Sequence, residues 1–381
     1  MRIQVNLPRV EPENYAMPTT CPYGCGSQHF KPHGVQGERK PLRDPQYTEV
    51  VSQRYVCVRC QRSFRVYPRG VGPGPQSDRL KGMTVLLYVL GLSYGAIEDF
   101  TFALGCGVGK TTAYNNVQAA GEQAQQRQRQ TVQHGGKRAV IGADGTYVRL
   151  KGVPTGIEVV VDPQNGELLG LEIVVSEGQE EIIDVIRDIA TEVDAEVLVS
   201  DAHGAYTGVA DETGLDQQLC RRHVKENVEN VADDLEQQLA ANEPPPEDSD
   251  LTPEQLTADL QQLRTLVWER PKDGEKQLET LYDRYKGVPK PPVGVRHTVW
   301  YRMRMLVTRL WEWWRKFTLD QRRADVPGTN NACERLIGWW IKERYRMMRG
   351  YKREESIKNV VTLTARMGVR SGHYDMIELF A

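Results

Sequence analysis

Two apolar segments of this 381-residue chain each lead into a carboxylate. Residues 139–143 lead into Asp144, and residues 196–200 lead into Asp201. A strand in a buried sheet leaves such a side chain little freedom, so two strands can bring two carboxylates to one cation. Mg²⁺ prefers oxygen ligands, and two ions about 4 Å apart can activate an attacking oxygen and stabilise a leaving one. An aspartate after a strand is also common as a turn residue or helix cap, so each residue alone leaves both interpretations open.

A third carboxylate, Glu334, lies in an early turn of a helix that is predicted to begin after Pro327-Gly328. Cations follow it closely, at Lys342, Arg344, Arg346, Arg349, Lys352 and Arg353. A surface salt bridge would explain the carboxylate alone. A metal ligand with nearby cations that bind DNA phosphates would explain both features.

The segment around the two aspartates predicts a multidomain α/β protein with an RNase H-like core. The pattern gives strands at 139–150, 157–161 and 167–175, a helix over 179–193 and a strand at 196–200. A right-handed crossover would place the fourth strand beside the first and parallel to it, so Asp144 and Asp201 should lie on neighbouring strands. We expect the other acidic side chains of this segment, Glu158, Asp162 and Glu172, to be solvated.

Four of the seven cysteines form two close pairs near the N-terminus. Cys21 and Cys25 are separated by three residues, and Cys57 and Cys60 by two. This spacing predicts a zinc ribbon in which Zn²⁺ is held by four thiolates; four unrelated reduced cysteines are the alternative. Eight arginine and lysine residues between 39 and 69, with aromatic residues among them, favour DNA binding by this module. Contact with protein alone remains an alternative.

Residues 76–133 predict a helix-turn-helix region. An apolar helix, a second helix capped by Ser93, the glycine-rich turn 105–109 and a polar-faced third helix follow in that order. A plain helical bundle is the alternative. The residues expected to face a DNA groove are Lys110, Thr111, Thr112, Tyr114 and Asn115.

Charge is distributed unevenly although the formal net charge is only −2. Residues 1–81 carry 13 basic and 6 acidic side chains, a net of +7, and residues 296–353 carry 15 and 5, a net of +10. Residues 228–294 carry 7 and 15, a net of −8. Local field governs attraction to phosphate, so the two basic segments are compatible with nucleic acid. No apolar run long enough for a membrane span and no signal segment is found, so we expect a cytoplasmic protein.

The separation between Asp201 and Glu334 predicts a helical insertion. Residues 251–285 have helical spacing, and residues 299–316 form a long amphipathic basic helix. Its tryptophans, Trp300 and Trp314 among them, are expected in a core. The predicted domains are a zinc ribbon at 1–75, a helix-turn-helix region at 76–133, the first part of the core at 134–228, the insertion at 229–326 and C-terminal core helices at 327–381.

These motifs together resemble the DDE transposases of prokaryotic insertion sequences. The resemblance rests on Asp144, Asp201 and Glu334, on Ser-Asp-Ala-His-Gly-Ala-Tyr at 200–206, and on Thr-Asn-Asn-x-x-Glu-Arg at 329–335. Cys220 and His223 resemble the C-x2-H element of Mutator-like transposases. Many relatives have a basic residue seven positions after the glutamate; here that position is Ile341, so Lys342 or Arg344 would replace it.

The resemblance implies an endonuclease and polynucleotidyl transferase for DNA recombination. Asp144, Asp201 and Glu334 would bind two Mg²⁺ or Mn²⁺ ions, water would cut the element ends, and the freed 3′-hydroxyl would attack target DNA. It implies a homodimer or larger assembly, associated with the nucleoid. His203 would contact phosphate or cap a helix, and Cys220 and His223 would form a structural pair, with a metal site as the alternative. A non-catalytic regulator and a structure-specific nuclease are the alternatives.

Overall fold

The computed structural model describes residues 4–174, 179–239, 244–246, 250–348, 350–368 and 373–380. It confirms a mixed α/β protein. The chain forms two compact units. The first, here called the terminal unit, contains Met1–Thr131, Val148–Pro154 and Leu336–Ala381, and the second, the central unit, contains Val132–Tyr147 and Thr155–Arg335. This division differs from the five predicted segments, because residues 336–381 group with the N-terminal part of the chain.

Mostly antiparallel strands form the N-terminal region. They are β1 (Gln4–Asn6), β2 (Glu11–Tyr15), β3 (Phe30–Pro32), β4 (Glu38–Pro41), β5 (Glu49–Cys57), β6 (Ser63–Val66) and β7 (Pro68–Arg69). The long strand β5 pairs with β3, β4 and β6. Buried Val50 and Ser52 alternate along it with exposed residues, so the predicted strand that leads into the second cysteine pair is confirmed.

Three helices follow, as predicted. They are α1 (Asp78–Val89), α2 (Tyr94–Ala103) and α3 (Lys110–His134). The hydroxyl of Ser77 accepts a hydrogen bond from the amide of Leu80, and that of Ser93 accepts one from the amide of Ala96, so each serine caps its helix.

A five-stranded sheet forms the centre of the central unit. Its elements are β8 (Val140–Leu150), β9 (Val153–Val161), β10 (Leu168–Val174), α4 (Gln179–Val193), β11 (Val197–Ser200), α5 (Gly204–Thr213), β12 (Asp216–Leu219) and α6 (Arg221–Leu239). The strand order is β10-β9-β8-β11-β12. Strands β9 and β10 are antiparallel, and β11 is parallel to both β8 and β12. Apolar residues of α4, including Ile182 and Ile186, pack with Ile141 and Leu198 of the sheet.

The predicted insertion is helical, and its core also includes Leu219 of β12 and Val224 and Val228 of α6. It contains α7 (Pro253–Glu269), α8 (Gly274–Tyr285) and α9 (Val299–Phe317). Trp300 and Trp314 are buried there, as predicted. The predicted stretch 251–285 divides into two helices because Arg270 takes a left-handed conformation with φ of 48° and proline follows it.

The chain ends with short helices and a small strand. They are α10 (Asn331–Arg335), a π-helical segment (Leu336–Lys342), α11 (Glu343–Arg346), α12 (Glu354–Gly368) and β13 (His373–Asp375). Within the terminal unit β13 pairs in parallel with β1. Among the described residues, no helix combines the length and apolar character that crossing a bilayer requires.

Candidate active site and cysteine cluster

The parallel pairing of β8 and β11 brings the two aspartates together. Val199 lies opposite Gly142 in this pairing. Asp144, two residues further along β8, and Asp201, directly after β11, line the same cavity. Burial raises the pKa of Asp144 to about 6, and the charges of Asp201 and Glu334 act in the same direction. His223 and the amide of Gly145 oppose this shift. Asp144 is therefore a buried carboxyl group on which two other carboxylates act, with His223 partly offsetting their effect.

Asp201 is followed by a turn that orients it. Its Oδ1 accepts a hydrogen bond of 2.9 Å from the amide of His203. Nδ1 of His203 accepts one of 3.4 Å from the amide of Ala205 and so caps α5. Of the two roles expected for His203, the structure therefore shows the helix cap, and phosphate contact stays a prediction.

Glu158 is a further carboxylate of this site, and its predicted solvation is wrong. Its side chain is only 1% exposed, and both carboxylate oxygens accept from the hydroxyl of Tyr206, at 3.0 and 3.1 Å. Glu158 and Tyr206 line a cavity of about 100 Å³ together with Asp144, Asp201 and His203. Its position within the otherwise apolar run 157–161 was the available signal, because a charge in a buried strand needs a partner.

The two other acidic residues differ in their exposure to solvent. Asp162 is buried and forms an ion pair of 3.2 Å with Arg138, so its predicted solvation is also wrong. Glu172 is exposed, as predicted.

Glu334 is held from the side of α6. Its Oε2 lies 2.7 Å from Nη2 of Arg222, and its Oε1 lies 3.6 Å from Nε2 of His223 and 3.9 Å from the sulfur of Cys220. The neighbouring Cys220 raises the pKa of His223, which favours the charged ring beside Glu334. Cys220 and His223 are thus grouped with the third carboxylate, and both expected roles, a structural pair and a metal site, stay open.

Asn330 anchors the segment that carries Glu334. It is 1% exposed, and its Nδ2 donates a 2.7 Å hydrogen bond to the carbonyl of Ala143, next to Asp144. Its amide lies 3.4 Å from the sulfur of Cys220. A side chain at Gly142 would approach Oδ1 of Asn330 to 2.5 Å, so glycine is required where this segment meets the sheet.

The described residues contain two groups of possible metal ligands whose donor atoms all lie within 4.8 Å of one another. One is Cys220, His223 and Glu334, and the other is the N-terminal cysteine set. Asp144, Asp201 and Glu334 do not form such a group, although the charges of Asp201 and Glu334 both act on Asp144.

The N-terminal cysteines can hold a zinc ion. The sulfurs of Cys21 and Cys60 are 3.7 Å apart, and those of Cys25 and Cys57 are 3.5 Å apart. Four sulfurs at about 2.3 Å from a tetrahedral Zn²⁺ would be separated by about 3.8 Å. Hydrogen bonding from the backbone of Cys60 is the main cause that lowers the pKa of Cys57 to about 6, which favours the thiolate that a metal requires.

The residues predicted to contact DNA lie in different environments. Exposed side chains are Lys110, Thr111, Thr112, Asn115, Lys342 and Arg346. Tyr114 instead bonds to Ser356 at 3.1 Å. Arg344 is 4% exposed and lies 3.9 Å from the ring centroid of Tyr88, so its guanidinium is packed inside the terminal unit and is not presented on the surface. Arg349 lies outside the described residues.

Comparison with models of known protein families gave no match, and comparison with curated proteins gave no significant similarity.

Replacing Asp144 by Asn should stabilise the protein at neutral pH. The folded pKa of about 6 lies above the unfolded value, so the ionised carboxylate destabilises the fold as pH rises from about 4 to about 6. We expect Asp144→Asn to raise the free energy of unfolding by about 2–3 kcal/mol at pH 7.5 and by less than about 0.5 kcal/mol at pH 4. Urea denaturation followed by tryptophan fluorescence measures both. The exposed Asp188→Asn is the control; an equal gain at both pH values would contradict the assignment.

Replacing Asn330 by Ala should destabilise the central unit by about 1–3 kcal/mol, because the carbonyl of Ala143 loses its buried donor. The neighbouring exposed Asn331→Ala should cost less than about 0.5 kcal/mol. Urea midpoints measure the difference. Equal effects of the two changes would show that Asn330 does not anchor this segment.

Metal analysis of the purified chain should give about one zinc per molecule, and Cys57→Ser should reduce this below about 0.1 because a three-thiolate site loses affinity. Cys106→Ser, which removes a buried thiol outside the cluster, should leave the zinc content unchanged. Zinc retained in Cys57→Ser, or lost in both variants, would exclude the four-sulfur site.

Proposed function

We propose that the protein is a DDE-type transposase that cuts DNA at the ends of an insertion sequence and joins the cut ends to target DNA. The observation that carries the proposal is that Asp144 of β8 and Asp201, directly after the neighbouring parallel strand β11, line one cavity, with the charge of Glu334 also acting on Asp144. The resemblance of the three surrounding motifs to this family supports the same conclusion.

The proposed core is RNase H-like. The order β10-β9-β8-β11-β12, with antiparallel β9 and β10 followed by a crossover helix and a strand parallel to β8, supports this assignment. In that arrangement the long connection from Asp201 to Glu334 is an insertion, and α10 returns the third carboxylate to the first two.

The repulsion of Asp144 by Asp201 and Glu334 is what a divalent cation would relieve. Asp144, Asp201 and Glu334 would hold Mg²⁺ or Mn²⁺, whose chemistry is to activate the attacking oxygen and stabilise the leaving one. The oxygen ligands fit these ions, and the pKa of about 6 for Asp144 indicates that its charged form lacks compensation. The carboxylate of Glu158 already accepts a hydrogen bond from the hydroxyl of Tyr206, so we propose that Glu158 positions that tyrosine beside the two aspartates.

Arg222 has a separate role in this proposal. It neutralises Glu334, whose charge would otherwise add to those of Asp144 and Asp201. Because the Arg222 side chain is 53% exposed, it can turn toward a DNA phosphate once Glu334 is neutralised in another way.

DNA would be delivered by the basic parts of the chain. The exposed Lys110, Thr111, Thr112 and Asn115 at the start of α3 form the proposed groove-facing set, and Lys342 and Arg346 are proposed to bind phosphates. Synapsis of two element ends would require a homodimer or a larger assembly.

The test uses the DNA that flanks the gene on both sides as substrate, with Mg²⁺ or Mn²⁺. Asp144→Asn, Asp201→Asn and Glu334→Gln should each reduce strand cleavage by at least about 10³-fold while DNA binding stays within about twofold, since each removes a ligand needed only for the chemical step. Glu172→Gln, which neutralises an exposed carboxylate of the same sheet, is the control and should cleave normally.

A pre-cut end with a free 3′-hydroxyl separates the remaining functions. Its joining to target DNA supports a transposase, whereas cleavage without joining indicates a structure-specific nuclease. Metal-dependent cleavage that survives in any of the three carboxylate variants would refute the proposed site, and binding without any cleavage would favour a non-catalytic regulator.

A further inference from the structure

A cavity of about 360 Å³ in the terminal unit has walls of tyrosine. Tyr88, Tyr94, Tyr114 and Tyr351 line it, and we call it the tyrosine cavity. The rings of Tyr88 and Tyr94 are stacked with centroids 4.6 Å apart, and Tyr94 meets Tyr114 edge to face at 5.6 Å. The walls therefore offer aromatic surface already held in place by packing.

A hydrogen-bond donor at these walls lacks a partner among the described residues. It is Nε2 of Gln118, which is buried. The orientation of Gln118 is fixed, because its Oε1 accepts from Asn359 at 3.1 Å, and Oδ1 of Asn359 accepts in turn from Gln125 at 2.5 Å. The first of these hydrogen bonds occupies the side-chain oxygen of Gln118, so its NH₂ group is the part that can donate to a ligand.

Positive charge surrounds the same cavity. Arg344 is buried on the ring of Tyr88, and its Nε and Nη1 have no hydrogen-bond partner among the described residues. Its charge acts on both Tyr94 and Tyr351, opposing the effect of burial, which raises the pKa of each. Lys352 and Arg353 line the cavity and are exposed. Lys352 and Arg353 are therefore the cations that a ligand in the cavity can contact, whereas Arg344 does not line the cavity and contributes through its charge.

These properties restrict the ligand. An apolar molecule would leave the donor unpaired, a cation would be repelled by Arg344, Lys352 and Arg353, and a simple inorganic anion would not use the aromatic walls. A ligand that fits the donor, the cations and the aromatic walls has a planar ring with acceptor oxygens or nitrogens and an attached negative group. The volume lies within the range of about 300–1,000 Å³ that is usual for small-molecule sites.

We propose that the tyrosine cavity binds a single nucleotide, with its base against the tyrosines and its phosphate at Lys352 and Arg353. The nucleotide can come from two sources, a free mononucleotide or an unpaired nucleotide of DNA. The cavity shares no residue with the carboxylate site, so this inference does not depend on metal-dependent cleavage.

The experiment measures binding to two probes without added divalent cation, so that failure of DNA cleavage cannot affect it. The first probe is a duplex with a single-nucleotide bulge, compared at fixed salt with the fully paired duplex by fluorescence anisotropy. The second is a set of free mononucleotides in calorimetric titration. A preference of roughly tenfold for the bulged duplex identifies DNA as the source, because one stacked base contributes about that much. Saturable binding of a mononucleotide without a bulge preference identifies the free nucleotide.

Two variants assign the binding to the tyrosine cavity. Gln118→Glu replaces the NH₂ donor by an acceptor and should bring the bulge preference near one, or abolish mononucleotide binding. Tyr94→Phe removes only the hydroxyl, should weaken binding by about three- to tenfold, and provides a second test if Gln118→Glu fails to fold. Tyr23→Phe, in the cysteine module, is the control and should bind normally, and thermal unfolding checks each variant.

The inference is overturned by two results. One is the absence of both a bulge preference and mononucleotide binding up to about 1 mM, the weak end of specific association. The other is unchanged binding in folded Gln118→Glu and Tyr94→Phe.

Discussion

The pairing of β8 with β11 is the constraint on which the candidate site depends. The pairing brings the middle of β8, which contains Asp144, beside the end of β11, which Asp201 follows, and both aspartates line one cavity. Such a position concentrates charge where solvent is scarce. The cost appears in the pKa of Asp144, which rises to about 6 mainly through burial. A fold that retained this cost without a compensating ligand would gain stability simply by losing the carboxylate.

The third carboxylate reaches this edge by a different route. Glu334 lies on the five-residue helix α10, which is too short to be stable alone. Buried Asn330 secures its start to the backbone of β8, and Cys333 donates from its sulfur to the carbonyl of Val159 at 3.5 Å. Arg222 then fixes the carboxylate itself. Three contacts from different elements thus fix the position of Glu334, whereas strands fix the positions of the two aspartates.

Local patterns in the sequence predicted much of this architecture, and long-range partners were the part they could not supply. The strands around Asp144 and Asp201 and the helix at 179–193 follow from periodicity, because each element shows its buried face in its own spacing. Glu158 was missed, since nothing near it in sequence indicates that Tyr206, 48 residues away, pairs with it. Arg344 was expected at the surface, and its burial depends on a local distortion that the sequence pattern does not show. It follows a π-helical segment, whose extra residue per turn changes the face on which later side chains lie.

Each of the two units contains buried charged or polar groups that are not fully compensated by the rest of the protein. In the central unit, Asp144 is buried near two other carboxylates. In the terminal unit, Arg344 and Gln118 have donor atoms without acceptors within the part of the chain that the structure describes. Each arrangement lowers stability in the free protein, since buried polar groups normally find partners during folding. The proposed ligands differ accordingly. A cation would compensate the carboxylates of the central unit, and an anion rich in hydrogen-bond acceptors would pair with the donors of the terminal unit. DNA with divalent ions can provide both, because its phosphates accompany the metal and an unpaired base carries the acceptors. A chain that binds both ligands would recover at the two sites the free energy it forgoes when empty, and would therefore be most stable when engaged with nucleic acid.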